Sequence, residues 1–63
     1  MVQKVFYDEA EPSIKMCFYK YSDTEFEVEI SSKTSHTTLV LDYHDLNEII
    51  KELERIKKII QPF

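Results

Sequence analysis

Glu25, Glu27 and Glu29 occupy every second position of one short segment, with Asp23 ahead of them and Tyr19 and Tyr21 just upstream. Alternate residues of a β-strand share one face at intervals of about 6.8 Å, so these carboxylates would form a straight negative ladder. A ladder of this kind can simply keep a sheet solvated and resistant to edge-to-edge association. It can also present charge to a basic partner, and aromatic side chains beside charge suit an interface centre with a polar rim. The expected partner-binding set is Tyr19, Tyr21, Asp23, Glu25, Glu27 and Glu29.

Other reactive side chains do not assemble into catalytic machinery. Cys17 has Lys15 and Tyr19 as same-face neighbours on its strand, with Glu27 expected across the pair. Carboxylates raise a thiol's pKa and blunt its nucleophilicity, so Cys17 reads as a half-buried structural residue. His36 and His44 are too few, and too far from the lone cysteine in sequence, to imply the convergent ligands that zinc requires. The chain holds no glycine, and phosphate-binding loops depend on glycine for close backbone approach. Paired carboxylates on a solvent-facing strand lack the apolar pocket that separates a general acid from a general base. Ligand sites begin at roughly 300 Å³, which a short chain struggles to enclose. No enzyme, metal site or cofactor is expected.

The elements that must position the acidic row follow from hydrophobic periodicity. Ile14, Met16 and Phe18 alternate with Lys15, Cys17 and Tyr19, and Phe26, Val28 and Ile30 alternate with the three glutamates. Two strands with apolar residues on one face are expected, joined by a turn at Ser22-Asp23-Thr24. Setting Phe18 opposite Phe26 places Met16 on Val28, Ile14 on Ile30 and Lys15 on Glu29. That register needs a three-residue turn, which favours a left-handed residue. Without glycine, Asp23 or Ser22 would have to fill the place. Val2 to Tyr7 forms a short edge strand, set off by the acidic break Asp8 to Ser13. Ser31 to Ser35 makes a second turn, and His36 to Leu41 a further strand with Leu39 and Leu41 on the apolar face.

Asp42 stands at an N-cap position with Asp45 three residues later, a variant of the capping box. Leu46, Ile49, Ile50, Leu53, Ile56, Ile59 and Ile60 then recur at spacings of three and four, giving one apolar stripe. A helix from Tyr43 to Gln61, closed by Pro62, would run about 28 Å. It could overhang its own sheet, leaving Ile59, Ile60 and Phe63 in need of another partner. Leu46, Leu53 and Ile60 repeat every seven residues, as do Ile49, Ile56 and Phe63, which is compatible with helix-to-helix pairing. The expected fold is α+β: a three- to four-stranded antiparallel meander packed by one C-terminal amphipathic helix (ββββα), in one domain over residues 1–63.

A chain of 63 residues buries only about 60% of the surface that its unfolded form exposes, and domains this small usually gain a disulfide, a metal or a partner subunit. Cys17 is the only cysteine, so a homodimer is the expected supplement. A lone thiol fits a reducing compartment, and the cytoplasm is expected, that of the host cell if the protein is viral. No apolar run approaches the ~20 residues of a membrane helix, and Met1 to Tyr7 lacks the apolar stretch of a secretion signal. The net charge is −4. Residues 1–31 hold three lysines against seven acids, and residues 32–63 hold five bases and five acids. The acidity belongs to the sheet half, which would repel nucleic acid and anionic membranes.

Strands followed by one C-terminal helix resemble the single-stranded-DNA-binding fold of a family of transcriptional coactivators that pair through that helix. The resemblance would imply a nucleic-acid-binding regulator, with Lys51, Arg55, Lys57 and Lys58 as its basic patch. Against it, the sheet bears glutamates where a phosphate backbone calls for lysine, arginine and aromatics. The opening Met1-Val2-Gln3 with Phe6 and Asp8, the size and the acidity are similar to small phage inhibitors of uracil-DNA glycosylase. The leading expectation is a small acidic interaction module that binds a protein partner with a basic surface. Its most concrete form is a phage- or mobile-element-encoded inhibitor of a host nucleic-acid-handling or defence enzyme, its acidic face resembling DNA. The alternatives are the single-stranded nucleic-acid-binding regulator and a non-inhibitory structural subunit.

Overall fold

The computed structural model describes residues 4–62. Four strands form one antiparallel sheet in the order β1-β2-β3-β4, a meander in which each strand pairs with the next in sequence. They are β1 (Val5–Tyr7), β2 (Lys15–Lys20), β3 (Glu25–Ser31) and β4 (His36–Asp42), and helix α1 (Tyr43–Ile59) follows directly. The expected ββββα class is the one observed. Val2 and Gln3 of the expected first strand, and Phe63 of the second heptad series, lie outside the described residues.

The β2–β3 register differs from the expected one by two residues. Phe18 faces Val28, Met16 faces Ile30 and Lys20 faces Phe26. Lys15 meets Ser31, while Cys17 is the residue opposite Glu29. An even shift leaves every side chain on its original face, so hydrophobic alternation alone does not distinguish the two registers. The loop does. No described residue has a positive φ, so the left-handed Asp23 or Ser22 that the expected turn required is not formed. Instead the Glu25 carbonyl accepts from the amides of both Tyr21 and Ser22, at 3.0 and 3.1 Å.

Serine supports the next hairpin without glycine as well. The Ser32 amide donates to the Ser35 carbonyl at 2.8 Å, and Ser32 Oγ accepts from the amides of Thr34 and Ser35. Short polar side chains that bond the nearby backbone stabilise such turns in ordinary φ/ψ regions. β4 then pairs Leu41 with Phe26 and Leu39 with Val28, placing both leucines on the apolar face as expected.

The helix starts where its cap dictates. Asp42 Oδ1 accepts from the Asp45 amide at 2.9 Å, and Asp45 Oδ2 accepts from the Asp42 amide at 3.4 Å, completing the capping box. Lys57 and Lys58 lie in its last turn, where they suit the helix dipole. The helix ends at Ile59, two residues short of the sequence expectation, and Ile60 caps it.

Packing departs most from expectation at this helix. No residue of α1 is buried, so it does not pack along its own sheet. Helix–strand junctions usually have a few residues of loop in which the chain can reverse. Here the helix begins on the residue after β4, so its base touches the sheet and the rest projects beyond it. The radius of gyration is 13.5 Å, against about 10.6 Å expected of a compact chain this long. Among the described residues no helix is long and apolar enough to cross a membrane.

Candidate protein-interaction face

The two faces of the sheet divide the side chains by chemistry. One carries Phe6, Met16, Phe18, Phe26, Val28, Ile30, Leu39 and Leu41 together with Lys20 and Thr37; the other carries Val5, Tyr7, Lys15, Cys17, Tyr19, Glu25, Glu27, Glu29, Ser31, His36, Thr38, Val40 and Asp42. β3 therefore presents Glu25, Glu27 and Glu29 in one row down the middle of the second face. Tyr19 on β2 and Val40 on β4 stand on either side of Glu27. Asp42 faces Glu25 and adds a fourth carboxylate at one end of the row.

Cys17 is the one buried hydrophobic residue among those described, at 4% exposure, and it lies on this polar face. β2 is an interior strand, so Val5 and Glu29 flank the small thiol from both neighbours. The neighbour expected across the pair was Glu27; the register places Glu29 there. A hydrogen bond with Cys17, together with desolvation and the nearby Glu29 carboxylate, pushes the Tyr19 phenol up to about 12.

Glu29 is the most connected member of the row. It accepts from the Tyr19 hydroxyl at 3.4 Å and is joined to His36 Nε2 at 2.8 Å. The hydrogen bond with His36, with help from Tyr19 and Lys15, holds its carboxyl below the usual glutamate range despite partial burial. Asp42 is also held low, first by the hydrogen bond from the Asp45 amide. The carboxylate at the end of the row thus stays charged while capping the helix.

Not all of the expected partner-binding set joins the row. Tyr19, Glu25, Glu27 and Glu29 share the face. Tyr21 lies in the loop after β2 and is exposed. Asp23 is also in that loop, with its carboxylate 3.1 Å from Lys20 Nζ. His36 and Asp42 join the acidic face without having been singled out for it. The signal was available: pairing Leu39 with Val28 puts Thr38 beside Glu29, and hence His36 one step further along the same face.

A notch of about 480 Å³ opens where the helix leaves the sheet, between the β2–β3 loop and Phe26, Tyr43 and Leu46. The Lys20–Asp23 pair is its only charge pairing among the described residues. It is an open cleft rather than an enclosed cavity, formed where the helix stands away from the sheet. Its walls bring together neither histidine nor cysteine.

Comparison with known protein families, curated proteins and solved structures yields no match. The class of protein is therefore defined by the fold and this face: a small ββββα domain with one acidic and one apolar sheet surface.

Proposed function

We propose that this domain is an acidic protein-interaction module whose β3 glutamate row engages a basic surface of a partner protein. The observation that carries the reading is the row itself. Glu25, Glu27 and Glu29 stand side by side on one face with Tyr19 next to them, and Lys15 is the sole lysine or arginine of the four strands on that side. Charge matching would steer the encounter, and Tyr19 with Tyr21 would supply apolar contact area. A nucleic-acid groove of a host or defence enzyme fits this chemistry, because such a groove is built to hold a line of negative charge. An inhibitor encoded by a phage or mobile element is the most concrete form of the proposal.

The nucleic-acid-binding alternative gains less support. Two of its four bases are engaged on the helix itself, Lys51 with Glu48 and Arg55 with Glu52. A mobility-shift titration with single-stranded DNA at low salt checks it, and retardation would favour that alternative.

The decisive experiment captures DNA-binding enzymes from host lysate on the immobilised domain and elutes them with duplex DNA. The triple variant Glu25→Gln, Glu27→Gln, Glu29→Gln should lose this capture while keeping the circular dichroism of the parent. Equal capture by the triple variant would refute the reading.

A further inference from the structure

The accessible surface is 5811 Å², whereas a folded monomer of 7.6 kDa exposes about 4,300 Å². The excess is about 1,500 Å², and two apolar surfaces are among what the chain leaves open. On the sheet, Phe6, Phe18, Ile30 and Leu39 are 39–55% exposed. On the helix and its cap, Ile50, Leu53, Ile59 and Ile60 are 48–64% exposed. Leucine-rich helix stripes and apolar sheet faces are each other's normal cover in α+β domains. Within one chain they approach only at the base of the helix, where Phe26 and Leu46 line one notch, because α1 follows β4 with no intervening loop.

We infer that two copies of this chain form a two-fold dimer in which the helix of each covers the apolar sheet face of the other. Symmetry selects this arrangement. A pair joined only through helices leaves both sheet faces bare, and a pair joined only through sheets leaves both helices bare. The reciprocal arrangement covers all four surfaces with one repeated contact, as an isologous interface requires. A 17-residue helix is about 26 Å long, enough to cross four strands spaced about 4.8 Å apart. Covering the excess on both chains buries about 3,000 Å² in total, within the range of obligate homodimers. Each chain carries −4, and in this arrangement the two glutamate rows point outward, which keeps most of the like charge away from the contact.

The inference uses the face opposite the glutamate row, so the triple glutamine variant should remain dimeric even if it loses its partner. The test begins with light scattering during size-exclusion chromatography of the unmodified chain at several concentrations. Twice the 7.6 kDa chain mass is expected, and a folded monomer throughout would overturn the proposal. Single variants Leu39→Cys and Leu53→Cys, one carrying a mass tag, are then mixed and treated with a short bismaleimide. Both positions lie in the proposed contact, so light scattering and circular dichroism first check that each variant is still a folded dimer, and the unmodified chain with its buried Cys17 is the linking control. The mixed pair should predominate among linked species. Leu53→Cys linking chiefly to itself would mean helix-to-helix pairing, and Leu39→Cys linking chiefly to itself would mean sheet-to-sheet pairing. Either of these, or a dimer with no mixed link, overturns the reciprocal arrangement.

Discussion

The two faces of this sheet differ in where burial falls: the one buried side chain among the described residues lies on the polar face, and the apolar face has none. The polar face closes over Cys17, and its Tyr19, Glu29 and His36 side chains hold one another. The apolar face leaves Phe6, Ile30 and Leu39 about half exposed, even with Phe6 and Phe18 in edge-to-face contact at 6.1 Å. Short residues between long neighbours are covered by the sheet itself. A row of long apolar residues needs a second layer, because side chains on a pleated surface stand roughly perpendicular to it. Alternation thus sorts residues onto faces but does not bury them.

The largest expected effect tests whether the apolar face is covered. Leu39→Ala at a surface position would change stability by no more than about 0.5 kcal/mol. Beneath a partner helix the same truncation should cost about 2–4 kcal/mol. Urea unfolding at two protein concentrations measures it, and the larger loss, with a midpoint that rises with concentration, is the expected result.

A smaller effect probes the polar face. Cys17→Ala removes the one buried thiol and should cost about 1 kcal/mol. It also removes the leading cause of the raised Tyr19 phenol, so that group's titration should fall from about 12 toward the ordinary tyrosine value. Tyrosinate absorbance against pH reports this directly. An unmoved titration would show that Cys17 does not govern Tyr19.

The smallest effect is in acid. Glu29 has a lowered folded-state pKa, so the unfolded chain binds more protons through that range. Its contribution is complete above the ordinary glutamate value and is lost as the pH falls through the lowered one. Glu29→Gln should therefore lower stability slightly at neutral pH, match the parent in strong acid, and flatten part of the acid limb between them. The change should be small because the group is partly solvated. Parallel curves for variant and parent would mean that the His36 contact contributes nothing to stability.

Local chemistry made much of this molecule readable in advance. The strands, their faces and the Asp42 cap all follow from period-two alternation and from short-range hydrogen bonding. The Glu25, Glu27, Glu29 row was legible for the same reason, since residues two apart on a strand share a face whatever lies beyond it. The β2–β3 register was not, because a two-residue slip preserves every facing. It turned on which loop a glycine-free chain can close with all its residues at negative φ.

Sequence by itself determined the element order, the two-faced sheet and the amphipathic helix, since each arises from contacts within a few residues. Only the tertiary structure decided that Cys17 is buried, that His36 reaches Glu29, and that α1 stands off its own sheet. Those outcomes depend on neighbours across strands and on the direction of one loop-free junction, and no periodicity within a segment encodes either.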